Sequence, residues 1–75
     1  MSEYPELSYK QIISALQRLG FLVIRQKGSH IRLQKRALDK IIKITLPAHR
    51  PVNPNTLRQI LKQSGIDIQT FKDNL

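Results

Sequence analysis

The chain has no cysteine, although it is only 75 residues long. A chain of this length is near the lower limit for a core that folds unaided, and neither disulfides nor thiolate metal sites can hold it together. We therefore expect a single domain over residues 1–75, in which helices pack on one sheet. Residues 1–7 are predicted to form a short N-terminal tail.

The first helix is predicted from its capping signals. Ser8 and Gln11 have the spacing of a capping box, and Gly20 is a typical C-terminal stop. The helix should therefore cover residues 9–19. The apolar residues that recur on one of its faces are Ile12, Ile13, Leu16 and Leu19.

Two further helices are predicted near the end of the chain. Asn53 followed by Pro54 begins the longer one, and Gly65 ends it. Its buried stripe consists of Leu57, Ile60 and Leu61. Asp67 is expected to cap a short last helix. The residues of that helix that should pack on the core are Ile68, Phe71 and Leu75.

Three β-rich runs lie between the first two helices. They cover residues 21–26, 29–34 and 40–46, with Lys27-Gly28 at the turn of a hairpin and residues 35–39 as a polar connection. Pro47 ends the third strand because it has no backbone N–H for the ladder. The element order is α-β-β-β-α with a trailing helical turn, which predicts an α+β fold. Both helices should cover one face of a three-stranded antiparallel sheet and leave the other face open.

Alternation along the strands predicts which side chains face the helices. The inward-facing residues are Ile31, Leu33, Ile42, Ile44 and Leu46, and the outward-facing residues of the third strand are Ile41, Lys43 and Thr45. Leu22 and Ile24 join the inward face if the hairpin loop has two or four residues. In this register Arg25 lies directly opposite His30 on the outer face.

The net charge is +8, from thirteen Lys and Arg against five Asp and Glu. Such a surplus attracts polyanions, with nucleic acid as the first candidate and an anionic membrane surface as the second, although it is also compatible with plain solubility. The longest apolar run, Phe21 to Ile24, is far short of the roughly 20 residues of a membrane span. The acidic, polar start of the chain does not resemble a secretion signal. We expect a cytoplasmic protein.

The titratable residues limit the possible chemistry. A zinc site needs three or four converging ligands, and a two-metal nuclease needs clustered carboxylates, whereas this chain has two histidines and scattered acids. No phosphate-binding glycine loop is present, so we expect neither a metal nor a cofactor. A histidine in a basic field remains. The predicted RNA contacts around it are Arg25, Lys27, Ser29, Arg32 and Lys43, unless these residues form only a solvated face.

His30 is the candidate catalytic residue. An imidazole takes and gives protons near neutrality, and RNA carries its own nucleophile in the 2′-hydroxyl. Arg25 or Lys27 could stabilise the charged phosphate. His49 is the candidate second proton donor, with Lys27 as a substitute. The alternative is that His30 is an ordinary surface histidine near a turn, and that His49 only hydrogen-bonds its own loop.

Four segments resemble a known family when taken together. They are Leu19-Gly20-Phe21, Arg25-Gln26-Lys27-Gly28-Ser29-His30, Leu46-Pro47-Ala48-His49 and Thr56-Leu57-Arg58-Gln59-Ile60-Leu61-Lys62-Gln63-Ser64-Gly65-Ile66. Over about Tyr9 to Phe71, the chain resembles the HicA toxins of HicA–HicB toxin–antitoxin modules. The resemblance implies a fold similar to the double-stranded-RNA-binding domain and an mRNA interferase that acts without a metal. It also implies a catalytic histidine at the Gly-Ser-His step, here His30, and a HicB antitoxin that masks the site.

Two other functions compete with a nuclease. A non-catalytic binder of double-stranded RNA could share this topology, but such binders open the second helix with a Lys-Lys pair, and here no cation occurs before Arg58. A protein-interaction subunit, whose charge meets an acidic partner, is the other alternative.

Overall fold

The computed structural model describes residues 4–75. In chain order the elements are α1 (Tyr9–Arg18), β1 (Leu22–Lys27), β2 (His30–Arg36), β3 (Ile41–Pro47), α2 (Pro54–Ser64) and α3 (Ile68–Asp73). The strands form one antiparallel sheet in the order β1-β2-β3. The predicted α+β fold and its element order are confirmed. Of the predicted tail, residues 1–3 lie outside the described residues, and Leu7 forms a β-bridge with Val52.

One face of the sheet is buried and the other is open. In β2 and β3 the buried side chains alternate with exposed ones, as predicted. The buried residues are Ile31, Leu33, Ile44 and Leu46, and Ile42 packs against them from the end of the sheet. Helix α2 packs against β3, and α1 packs against β1 and α3. Each fully buried aliphatic side chain contributes about 1.5–3 kcal/mol, so this shared core holds the sheet to the helices.

Both ends of α1 follow the sequence signals. The Ser8 N–H donates to Gln11 Oε1 at 3.0 Å, and the Gln11 N–H donates to Ser8 Oγ at 3.4 Å, which completes the capping box. At the other end Gly20 has φ +100°. The chain then turns back, and the N–H of the buried Phe21 donates to the Leu16 carbonyl at 2.9 Å. These bonds fix the direction in which β1 leaves the helix.

Helix α2 also has the predicted caps. The Asn55 N–H donates to Asn53 Oδ1 at 2.8 Å, with Pro54 in the first helical position. Gly65 has the left-handed φ of +73°, and the following Ile66 N–H donates to the Leu61 carbonyl at 3.1 Å. The buried stripe of Leu57, Ile60 and Leu61 is confirmed.

The last helix is partly as predicted. Asp67 caps α3, and its carboxylate accepts the Thr70 N–H at 2.7 Å, which lowers the pKa of the carboxyl. Phe71 is fully buried and Ile68 packs against the core. Leu75, however, is 49 % exposed, so its predicted packing is wrong. Because α3 ends at Asp73, Leu75 lies beyond the last turn and does not return to the core.

The first hairpin turns one residue later than predicted. Lys27 pairs with His30, so Gly28 and Ser29 form the turn, and Arg25 lies opposite Arg32 rather than His30. Gly28 has φ +59°, whereas no non-glycine residue from 4 to 75 has positive φ. A positive φ at only the first central residue is typical of a type II′ turn, which requires glycine there. The backbone freedom of Gly28 therefore sets the pairing.

Strand β1 also contains a bulge. Val23 pairs with Leu33 and Arg25 with Arg32, so Ile24 is an extra residue without a partner in β2. Leu22 is 67 % exposed and Ile24 is 46 % exposed. The prediction that these two residues join the core is wrong because of the bulge. The later turn alone would leave Ile24 opposite the buried Leu33, but the bulge pairs Val23 with Leu33 and places Leu22 opposite Gln34. All six residues of β1 are exposed.

Candidate nucleic-acid interface

The open face of the sheet has a concavity at its hairpin end. Its volume is about 570 Å³. It is lined by Arg25, Lys27, Gly28, Ser29, His30, Arg32 and Thr45. The register explains this grouping, because Lys27 is opposite His30, and Arg32 lies between Arg25 on β1 and Thr45 on β3. Opposed residues of paired strands share a face, so these side chains surround one space.

His30 is the first residue of β2 and is exposed. It lies between Lys27 on one neighbouring strand and Pro47 on the other. Within residues 4–75 no side chain hydrogen-bonds to its imidazole. The backbone of the preceding residue is fixed, because the Ser29 carbonyl accepts the Ala48 N–H at 2.7 Å. The strand therefore positions the histidine while its ring stays free to meet a ligand.

The lining of the concavity is cationic. Arg25, Lys27 and Arg32 all contribute to it, and among residues 4–75 no carboxylate lines it. Guanidinium groups bind phosphate oxygens in a bidentate manner, and an ammonium group acts as a point charge. The concavity can therefore bind a phosphodiester next to an imidazole.

Two predicted site residues lie elsewhere. Lys43 is on the same open face, but it pairs with Gln34, further from the turn, and does not line the concavity. His49 is exposed in the loop after β3 and is also outside the lining. Its backbone carbonyl accepts the Tyr9 N–H at 3.2 Å, and its own N–H donates to the Pro47 carbonyl at 2.9 Å. The backbone of His49 thus connects this loop to the start of α1.

Sequence reasoning missed two contributors to the site and one contact outside it. Thr45 was assigned to the outer face but not to the site, and its position opposite Arg32 brings it into the lining. Gly28 contributes through the turn, which is held by a hydrogen bond from Gln26 Nε2 to the Gly28 carbonyl at 3.1 Å. The guanidinium of Arg50 lies over the Tyr9 ring, 5.2 Å from its centroid, and no spacing in the sequence points to that pair.

Across residues 4–75, no three side chains of the metal-ligating types converge. In the same part of the chain, no helix has the length and apolar character needed to cross a bilayer.

Fold and site together define a small basic α+β protein with an exposed histidine on a cation-lined open sheet face. A family model described as "HicA toxin of bacterial toxin-antitoxin" matches residues 9–66, which include α1, the whole sheet and α2. The chain belongs to the HicA toxin family. A comparison with curated proteins gave no match.

Proposed function

We propose that this toxin is a metal-independent endoribonuclease, an mRNA interferase of a type II toxin–antitoxin module, and that it acts in the cytoplasm. The observation that supports this most directly is the position of His30. Its imidazole is exposed in a concavity that also contains Arg25, Lys27 and Arg32. An acid–base group and phosphate-binding cations are the two components that RNA transesterification needs.

The reaction follows from these groups. His30 removes the proton of a ribose 2′-hydroxyl, and the 2′-oxygen attacks the adjacent phosphorus. A bond forms between the 2′-oxygen and phosphorus while the bond from phosphorus to the 5′-oxygen breaks, and that oxygen takes a proton from an acid. The products are a 2′,3′-cyclic phosphate and a free 5′-hydroxyl. Arg25 and Arg32 stabilise the additional negative charge on the phosphate as it forms.

Lys27 is the better candidate for the acid that protonates the 5′-oxygen. It lies directly opposite His30 and lines the same concavity, whereas His49 does not. An ammonium group also stabilises the phosphate charge, so Lys27 can contribute to both steps. The same apparatus has no nucleophile on DNA, which lacks the 2′-hydroxyl.

The open face also supports the proposed partners. We propose that the sheet, with helices on one side only, has the topology of a double-stranded-RNA-binding domain and presents its uncovered side to mRNA. A HicB-like antitoxin that covers this side would exclude RNA from His30. Binding of that antitoxin would therefore inhibit the enzyme without any change in the catalytic residues.

A cleavage assay with product analysis tests the proposal. Purified protein should cut RNA in the presence of EDTA and leave a 2′,3′-cyclic phosphate. A substrate with one 2′-deoxynucleotide at the cleaved position should stay intact, because its nucleophile is missing. Loss of cleavage in EDTA, or products that carry a 5′-phosphate, would contradict the mechanism.

A non-catalytic RNA-binding domain is the alternative function. The observation that favours it is a second polar concavity of about 380 Å³ on α2, lined by Asn55, Arg58, Gln59 and Lys62. Two cations on an exposed helix face can bind backbone phosphates of RNA without any catalytic step. Such a protein would bind RNA and leave it uncut, so the same assay separates the two functions.

A further inference from the structure

Strand β1 is a free edge of the sheet. Within the part of the chain that the structure describes, it pairs only with β2, and all six of its residues are exposed. Within residues 4–75, no backbone hydrogen bond joins the outward edge of β1 to another segment. An edge strand of this kind offers a row of unpaired N–H and C=O groups to an incoming strand.

The first half of this edge is apolar. Leu22, Val23 and Ile24 are consecutive, and they are 67 %, 42 % and 46 % exposed. The bulge leaves Ile24 without a partner in β2. Proteins usually protect free edges with charges, and Arg25 and Lys27 do so in the second half of β1, whereas the side chains of the first half carry no charge. An uncovered apolar edge in a small protein indicates a binding surface.

The charge of the chain indicates what covers this edge. A second copy of the chain would bring another net charge of +8 to a strand that already carries Arg25 and Lys27. Like charges repel, so pairing between two copies is disfavoured. An extended segment with aliphatic residues beside Leu22–Ile24 and acidic residues beside Arg25 and Lys27 complements both halves.

We propose that the antitoxin partner adds such an acidic and aliphatic segment to β1 as a fourth strand of the sheet. The proposal rests on the proposed function to the extent that the partner is the antitoxin. Arg25 and Lys27 belong both to this edge and to the lining around His30. The added strand therefore engages cations that RNA also needs, and the two ligands compete.

Amide hydrogen exchange on the full chain, alone and with its HicB-like antitoxin, tests whether the antitoxin binds along β1. The amides of β1 should become protected in the complex. The double variant Leu22→Lys/Ile24→Lys should weaken antitoxin binding by about tenfold or more, since both aliphatic contacts are lost and a repulsive edge is created. Leu38→Lys is the matched control, because Leu38 is fully exposed in the β2–β3 loop. The affinity of this variant for the antitoxin should change by less than about twofold.

Three results would overturn the proposal. One is that β1 gains no protection, either because it exchanges as fast in the complex as in the free protein or because no complex forms. Another is that the double variant binds as tightly as the wild type. The third is that β1 becomes protected without antitoxin as the protein concentration rises, which would assign the edge to a second copy. RNA cleavage by the unbound wild type is measured separately, so failure of the nuclease function is distinguished from failure of strand addition.

Discussion

Lys27 and His30 lie directly opposite each other across the β1–β2 hairpin, separated along the chain only by Gly28 and Ser29. Directly opposed residues in antiparallel strands have Cβ atoms about 4.5–5.5 Å apart. An ammonium group and an imidazole therefore approach a ligand from neighbouring positions on one face. The type II′ turn at Gly28 and Ser29 sets this pairing, so the relative position of the ammonium group and the imidazole depends on that turn.

Replacement of His30 by alanine should remove RNA cleavage without unfolding the protein. Loss of a general base lowers a rate by about 100-fold or more. The side chain is exposed, so the free energy of unfolding should change by less than about 0.5 kcal/mol. A cleavage assay and a urea titration followed by circular dichroism measure the two effects. Cleavage by the variant at the wild-type rate would exclude His30 from the reaction.

Lys27 and His49 should differ in their effect on cleavage. Lys27→Gln removes a cation from the lining and should lower the rate by about 100-fold. His49→Gln changes a residue outside the lining and should lower it by less than about tenfold. Single-turnover rates with a common RNA substrate compare them. The reverse order would make His49 the proton donor.

Charge reversal at the sheet face should weaken RNA binding and its dependence on salt. Arg25→Glu and Arg32→Glu each remove a proposed phosphate contact, so the slope of log affinity against log salt should fall by about 1 or more. Lys72→Glu makes the same charge change on α3, outside the lining, and serves as the control. Filter-binding titrations at several salt concentrations give the slopes. Equal slopes for all three variants would mean that only net charge matters.

The cap of α3 should make part of the stability depend on pH. The Thr70 N–H holds the pKa of Asp67 below its ordinary value, so the folded state favours the carboxylate. This stabilisation is present above the unfolded-state pKa of about 3.9 and is lost as the pH falls through the lower folded-state pKa. Asp67→Ala should therefore lower Tm at pH 7, and its difference from the wild type should narrow under acidic conditions.

Asp67→Asn provides the control for that experiment. Asparagine keeps the hydrogen-bond acceptor but not the charge, so its Tm at pH 7 should lie between those of the wild type and the alanine variant. Thermal melts followed by circular dichroism at several pH values measure all three proteins. A constant gap between the wild type and Asp67→Ala at every pH would show that the charge contributes nothing.

The sequence predicted the helices well because their signals are local. Ser8, Asn53 and Gly65 each act through hydrogen bonds within a few residues, and each has its predicted role. The hairpin register is different, since it depends on which residue takes the positive φ. Gly28 was placed second in the turn instead of first, and the bulge at Ile24 added a further shift. The bulge leaves no pattern in a single sequence, whereas Gly28-Ser29 is itself a signal for a type II′ turn that the sequence analysis did not use.

The residues of the candidate site were predicted better than their arrangement. Alternation on β2 placed His30 and Arg32 on the same face whatever the hairpin register, and both line the concavity. Their partners across the hairpin depended on the turn, so the expected pair of Arg25 with His30 is replaced by Lys27 with His30. Lys43 lies on the same open face but does not line the concavity. Alternation predicts which face a side chain is on, but it does not predict how far along the strand the concavity extends.

The exposure of β1 has a consequence for how firmly a substrate can be held. The strand that carries Arg25 and Lys27 buries none of its own side chains, whereas the strand that carries His30 is anchored by Ile31 and Leu33. Two of the three cations in the lining therefore depend on the backbone pairing of β1 with β2. If a nucleotide binds across both strands, as proposed, fraying of the outer strand should release it, and its residence time should be limited by the opening of the hairpin.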